Sequence, residues 1–230
     1  MDKQQEACQM LIVRKTVQEN GIRFADIQIT YPKLLQKETA PAEERQTKKN
    51  TGKHVRRTSE RKDCTGAVNA HFASVAGNFY KYCTEQLAEI ERSRYEQMTE
   101  PNKRFLYRGV KAGMYFELNI FEELMSVKMT ATVTRGAQIE GYSRNAEVWD
   151  LRKGCLVPAS EVFGNKWKKL RAKIKTDSGV LPSDSSWYLT GSQEAVVFTN
   201  VFGCPNRNGG GRRQQTVFER KIELNAPVKI

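Results

Sequence analysis

Residues 125–134 read MSVKMTATVT and carry the strongest structural pattern in the chain. Apolar and polar side chains alternate throughout this stretch, which places one set on each face of a β-strand. We expect the apolar set to be buried and the Thr/Lys set to face water. The preceding residues 103–121 are rich in aromatic and aliphatic side chains, so the two segments together predict long antiparallel strands.

Two further strands are predicted near the N-terminus. Residues 8–17 and 22–31 flank an Asn-Gly pair, which is a strong signal for a tight hairpin turn. The alternation of the second strand slips near Ala25, which predicts a β-bulge there. Pro32 is expected to end this strand, because proline has no N–H to donate to a neighbouring strand.

Two helices are predicted from apolar residues at spacings of three and four. The longer one covers residues 66–98, with Val68 and Phe72 on its apolar face. The shorter one covers residues 166–175, where apolar residues at i, i+3 and i+7 alternate with six Lys/Arg. Strands and helices together predict an α+β fold.

We expect the N-terminal strands, an insertion and the long helix to fill residues 1–102, and the other elements to fill 103–230, as one compact unit. The insertion, at about 33–65, has few large aliphatic residues, which predicts a flexible basic segment. Two segments, 33–62 and 166–175, each carry a net charge of +6 and account for the whole formal charge of +12. Such segments attract nucleic acid, anionic membranes or acidic proteins, and simple solvation is the alternative.

The basic helix is the best candidate for a binding surface. Trp167 could stack on a base while the lysines hold phosphates, could lie on an anionic membrane, or could pack onto the sheet. Its exposure distinguishes these alternatives. A Gly-rich run at 209–211 is similar to a phosphate cradle but joins two predicted strands, which favours a hairpin loop. The candidate contacts for an anion or a partner are Lys166, Trp167, Lys168, Lys169, Arg171, Lys173, Arg212 and Arg213.

No pattern of catalytic or metal-binding residues is recognised in the sequence. His54 and His71 are the only histidines and stand too far apart for HExxH, and GxSxG is missing. The five cysteines include no CxxC pair, so neither a zinc site nor a disulfide framework is predicted. We therefore expect a protein that is not an enzyme and has no catalytic residues, no metal and no cofactor.

The sequence predicts neither a transmembrane segment nor a secretory signal. No stretch approaches the roughly 18 apolar residues that span a bilayer, and the N-terminal apolar run is too short for a signal peptide. The expected location is the cytoplasm. The oligomeric state stays open, because a β-rich chain leaves an edge strand that could pair with another chain.

Several short motifs resemble the C-terminal domain shared by the anti-sigma factor RsiV and the peptidoglycan deacetylase PdaC. They are TRGAQ at 134–138, EVWDLRKG at 147–154, ASEVF at 159–163, WYLT at 187–190 and AVVF at 195–198. The family pattern contains T-G-G-A-H, so Arg135 replaces a glycine and Gln138 replaces a histidine. Residues 27–32 and the long helix resemble the small domain that usually precedes this one.

The resemblance implies a bacterial α+β accessory domain in which an antiparallel sheet has two main helices packed on one side. It also implies a domain that binds rather than catalyses. Relatives act at the cell envelope, against lysozyme or cell-wall material. The leading hypothesis is therefore a non-catalytic binding or scaffold domain whose partner is an unknown protein or an acidic polymer. A nucleic-acid-associated protein is one alternative, and a cell-envelope binding protein is another.

Overall fold

The computed structural model describes residues 8–35, 64–202, 215–224 and 228. Most of the predicted basic insertion, residues 36–63, lies outside the described residues, as do Arg212 and Arg213. The insertion's predicted flexibility therefore stays a prediction.

Nine strands form two sheets in these ranges. The strands are β1 (Cys8–Glu19), β2 (Ile22–Leu34), β3 (Val110–Phe121), β4 (Leu124–Arg135), β5 (Gln138–Asp150), β6 (Cys155–Leu156), β7 (Trp187–Gly191), β8 (Glu194–Phe202) and β9 (Gln215–Glu223). The predicted long helix is α1 (Thr65–Lys81), which continues through a π-helical turn (Tyr82–Leu87) into α2 (Ala88–Glu96). The other helices are α3 (Glu100–Phe105), α4 (Ala159–Phe163) and α5 (Lys166–Ser178).

The first sheet has six strands in the order β1-β2-β3-β4-β5-β6, and it is mixed rather than antiparallel. Strands β2 and β3 run parallel, with Ala25 aligned with Val110, and the other neighbours are antiparallel. Parallel neighbours need a long crossover connection. The connection between β2 and β3 contains the long helix. Strands β7, β8 and β9 form a second, antiparallel sheet. The prediction of one antiparallel sheet was therefore wrong in the number of sheets and in the direction of the strands.

Strand β4 is buried on both faces where it begins. Met125 and Val127 belong to a cluster with Phe72 of α1, as their alternation predicts. Ser126 points to the opposite face yet is only 2% exposed, and its hydroxyl accepts the N–H of Leu189 in β7 at 2.8 Å. The polar face of the alternating stretch therefore does not meet water at this end, because β7 packs there.

The two predicted helices lie on opposite faces of the six-stranded sheet. Phe72 of α1 packs on the face that carries Met125. Ile174 of α5 joins a cluster with Leu124 and Val148, whose side chains point to the other face. The prediction of two main helices on one side was therefore wrong, and the molecule has three layers: the long helix, the six-stranded sheet, and the second sheet with α4 and α5.

The predicted bulge in β2 is present and has a packing role. Phe24 is the extra residue, because the register shifts opposite Val17. Its ring then makes edge contacts with the rings of Tyr95 and Tyr107 at 6.2 and 6.3 Å. Pro32, in contrast, does not end β2. Beyond Ile29, β1 is the one described strand that pairs with β2, so a residue without an N–H is tolerated there.

Candidate partner-binding surface

Helix α5 is held in place by its apolar residues. Trp167 and Ile174 are 6% and 0% exposed and face the core shared with α4 and the second sheet. The helix ends at Gly179, whose left-handed conformation (φ 75°) lets its N–H donate to the carbonyl of Lys175 at 2.8 Å. The opposite side of the helix is therefore turned to the solvent.

Trp167 is a structural anchor and does not offer its ring to a partner. The ring stacks on Phe163 at 5.2 Å with an interplanar angle of 16°, and its indole N–H donates to Asp184 at 3.0 Å. Arg171 lies over the same indole and pairs with Asp184 at 3.7 Å. The candidate contact at Trp167 is thus corrected, and Arg171 is already engaged by a carboxylate.

The exposed side of α5 is rich in lysine. Three of its lysines follow the spacing i, i+3 and i+7, which spreads their Cα atoms over about 10 Å of one side of the helix. None of the five takes part in an ion pair with the described part of the chain. We call this surface the lysine face, and it consists of Lys166, Lys168, Lys169, Lys173 and Lys175.

Elsewhere in the described ranges, most cations are compensated. Lys128 pairs with Glu117 at 2.7 Å, Arg220 pairs with Asp177 at 3.1 Å, and Arg144 pairs with Glu219. The lysine face differs because its five charges stand together without a carboxylate partner among these residues. Such a surface attracts anions through an electric field that ordinary salt concentrations screen beyond about 8–10 Å.

A buried ion-pair network that the sequence does not reveal links α2 to the β4–β5 hairpin. Arg135 donates to both carboxylate oxygens of Glu91, at 2.8 and 2.5 Å, and to Glu140 at 2.8 Å. The Glu91 side chain is only 3% exposed. Burial and the neighbouring Glu91 carboxylate raise the pKa of Tyr107 to about 12, so its hydroxyl stays protonated and donates to Glu91 at 3.3 Å.

His71 forms a second polar cluster on the helix-covered face of the sheet. Its Nε2 lies 2.9 Å from Glu147, whose carboxylate also accepts the indole N–H of Trp149 at 3.0 Å. The imidazole packs against the Trp149 ring, with the centroids 4.9 Å apart. This arrangement ties α1 to β5, which agrees with a structural role for His71.

The DLRKG motif at 150–154 builds the turn between β5 and β6. Burial raises the pKa of the Asp150 carboxyl, but the backbone N–H groups of Lys153 and Arg152 and the Lys153 ammonium outweigh it, so the pKa lies below its usual value. Gly154 has φ 65°, and a Cβ there would lie 2.8 Å from the sulfur of Cys64. The motif is thus explained by turn geometry.

Neither a metal cluster nor a membrane-spanning helix emerges from the residues that the structure describes. No group of three or more His, Cys, Asp or Glu side chains is positioned there to hold a metal ion. None of the described helices combines the length and apolar character needed to cross a bilayer. The cytoplasmic location stays a prediction.

Comparisons with known proteins identify similar folds but no close relatives. No family model matches the sequence, and no curated protein matches it. Among solved structures, the chain is similar to a member of the DUF3298 family from Bacteroides fragilis, with 13% identity, a TM-score of 0.54, and coverage of 84% of this chain and 83% of that one. A DUF3298 family protein from Pseudomonas aeruginosa matches with 11% identity, a TM-score of 0.38, and coverage of 74% and 65%.

The likeness to the Bacteroides protein concerns the fold alone, because so few residues are identical. The finer resemblance to the RsiV and PdaC domain stays a prediction. Arg135, where the resemblance predicts a glycine, has a structural role in this chain, since it neutralises Glu91.

Proposed function

We propose that this chain is a non-catalytic binding domain that holds an anionic partner on the lysine face. The observation that carries the proposal is the group of five exposed lysines on α5 without a carboxylate partner in the described ranges. The core contacts of Trp167 and Ile174 keep the helix in place, so the charges are presented on a rigid element.

The burial of the apolar side of α5 limits the ways in which this helix can bind a partner. An amphipathic helix that inserts into a membrane must place its apolar side in the lipid, and that side of α5 is already used in the core. Trp167 does not offer its ring to stack on a base, because the ring is buried. The exposed side of α5 instead favours contact between lysine ammonium groups and the negative charges of a polymer or an acidic protein.

Nucleic acid is the second candidate, because phosphate contacts need only such charges. For duplex DNA, the logarithm of the binding constant falls with the logarithm of the salt concentration, with a slope of about −0.9 for each phosphate neutralised. Five contacting lysines therefore predict a slope of about −4.5. An acidic polypeptide binds through the same lysines, so the two partners are distinguished by their relative affinities.

The test measures binding of the full chain to a fluorescent 20-base-pair duplex and to polyglutamate over a salt series. The variant Lys166→Gln/Lys168→Gln/Lys169→Gln removes three charges, and its duplex slope is expected to fall to about −1.8. The matched control removes three exposed lysines that likewise have no ion pair in the described ranges, and it should leave binding nearly unchanged: Lys33→Gln/Lys81→Gln/Lys111→Gln.

Tighter binding of the duplex than of polyglutamate would favour the nucleic-acid alternative. Equal losses in the two triple variants would contradict the proposal, because the attraction would then depend on net charge and not on the lysine face. Failure of both polymers to bind at low salt would also contradict it.

A further inference from the structure

Strand β1 is a long and accessible edge of the six-stranded sheet. It has 12 residues and, among the described strands, pairs with β2 alone, whereas β6 at the opposite edge has two residues. Its aliphatic residues are unusually accessible, with Met10, Ile12 and Val13 being 38%, 56% and 36% exposed. An edge strand presents a row of backbone N–H and C=O groups on which another strand can be built.

Two of the features that usually protect an edge strand, proline and a central bulge, are missing from residues 8–16, and the charges of Arg14 and Lys15 discourage only strands that do not match them. The strand contains no proline, and its register shift lies near the end, between Val17 and Gln18. No other strand of the described ranges pairs with its outer side. Residues 8–16 therefore form a regular stretch of edge that is long enough for a typical strand of five or six residues.

The charges of this stretch select its partner. Arg14 and Lys15 are exposed, they point to opposite faces of the sheet, and neither forms an ion pair with the described residues. The only acidic residue of β1 is Glu19, which pairs with Arg92. The centre of the edge is therefore cationic on both faces and aliphatic immediately before that point.

Two occupants from this protein itself are disfavoured by charge. The segment 33–62 carries a net charge of +6 and would meet Arg14 and Lys15 with like charges. A second copy of β1 would add its own Arg14 and Lys15 and could offer only Glu19, which already has a partner. A strand from an acidic partner, in contrast, would meet both cations with opposite charges, and such cross-strand pairs are stabilising.

We propose that β1 is a docking edge for an extended segment of another protein, in which two adjacent acidic residues precede three aliphatic ones. In an antiparallel strand, the acidic residues lie opposite Lys15 and Arg14, and the aliphatic residues lie opposite Val13, Ile12 and Leu11. Because side chains alternate between faces, one acidic residue and at least one aliphatic residue are used on each face. This inference is independent of the lysine face and goes beyond it.

The experiment measures binding of fluorescent peptides to the full chain by anisotropy. The test peptide has the core Glu-Glu-Val-Ile-Val between polar ends, and the second peptide has Lys-Lys in place of Glu-Glu. The docking variant is Arg14→Glu/Lys15→Glu, and the matched control is Lys81→Glu/Lys111→Glu, which makes the same charge change at exposed positions elsewhere. A third variant, Lys166→Glu/Lys168→Glu, changes the lysine face.

The acidic peptide should bind the unaltered chain and lose about tenfold or more in affinity with the docking variant, since two favourable pairs become two repulsive ones. The Lys-Lys peptide should instead prefer the docking variant. The other two variants should change the affinity for the acidic peptide by less than about twofold. Hydrogen exchange of the amides in residues 8–16 should slow when the acidic peptide is bound.

Three results would overturn this inference. One is that the acidic peptide does not bind the unaltered chain. Another is that Lys81→Glu/Lys111→Glu weakens binding as much as the docking variant, which would indicate attraction by net charge alone. The third is that Lys166→Glu/Lys168→Glu alone weakens it, which would place the peptide on the lysine face and leave the proposed function intact.

Discussion

Replacement of Arg135 by methionine is expected to be among the most damaging single changes in this protein. Its guanidinium makes two hydrogen bonds to Glu91, at 2.8 and 2.5 Å, and both side chains are largely buried, with 14% and 3% exposed. Removal of one partner of a buried ion pair leaves an uncompensated charge and costs about 3–5 kcal/mol. Since whole domains are stable by about 5–15 kcal/mol, Arg135→Met should bring the chain close to unfolding.

The assay is urea unfolding followed by circular dichroism, with the free energy of unfolding extrapolated to water. The matched control is Arg94→Met, which also removes an arginine of this network. Arg94 is 52% exposed and lies 3.5 Å from Glu140, so its loss should cost less than about 1 kcal/mol. The double variant Glu91→Leu/Arg135→Met should recover much of the loss, because no charge is then left buried.

Comparison of the two arginine variants tests whether Glu91 and Arg135 form a buried ion pair. If Arg135→Met lowers the free energy of unfolding no more than Arg94→Met does, then the Glu91 carboxylate is not held in a buried pair and our account of the network is wrong. If the double variant is less stable than Arg135→Met alone, the two side chains act independently and the pairing argument also fails.

Two further predictions concern backbone packing and pH. Gly109→Ala should lower the free energy of unfolding by at least about 1–3 kcal/mol, because its Cβ would lie 2.8 Å from the backbone carbonyl oxygen of Phe24 and the backbone would have to shift. Gly77→Ala, in open space within α1, should instead stabilise by about 0.5–1 kcal/mol; a similar loss in both variants would refute the steric explanation. Hydrogen bonds from Arg135 hold the pKa of Glu140 below its ordinary value. The stability that Glu140 contributes is therefore fully present above its unfolded pKa of about 4.3, and it is lost as the pH falls through the lower folded pKa. Glu140→Gln should therefore be less stable than the unaltered chain by about 1 kcal/mol at pH 7, and this difference should shrink as the pH falls below about 4.3, as measured by urea unfolding at each pH. A difference that persists unchanged at pH 2 would contradict this.

The local patterns of the chain predicted most of its strands and its long helix. The alternation of residues 125–134 lies within β4, and the three-four spacing of residues 66–98 matches α1, the π-helical turn and α2 within a few residues. Both patterns record which side chains face the core, and that information is local. The same spacing in 166–175 separates an apolar side of α5 from its lysines, and these five lysines are exposed in the structure.

The pairing of distant elements was not available from such patterns. Whether β2 and β3 run parallel depends on how the long helix between them crosses the sheet, and a helix of this length permits either direction. Ser126 has the same polar side chain whether it meets water or the N–H of Leu189, so its burial became apparent only from the position of β7.

The functional features likewise include some that the sequence predicts and others that only the structure reveals. Lysines at 166, 168, 169, 173 and 175 were visible as a basic helix from the sequence alone, because their spacing places them away from the apolar side. The ion pair between Glu91 and Arg135 joins residues 44 positions apart, and nothing in either local stretch predicts it. A docking edge at β1 likewise depends on which strand ends the sheet.

The sequence by itself determined the α+β class, the long helix and the cationic side of α5, because each depends on the period of side chains along one segment. Only the tertiary structure decided that α1 and α5 lie on opposite faces of a mixed sheet, that Trp167 is an anchor, and that Arg135 is buried against Glu91. The physical reason is that burial and pairing are properties of two or more segments brought together, and each segment alone is compatible with several partners.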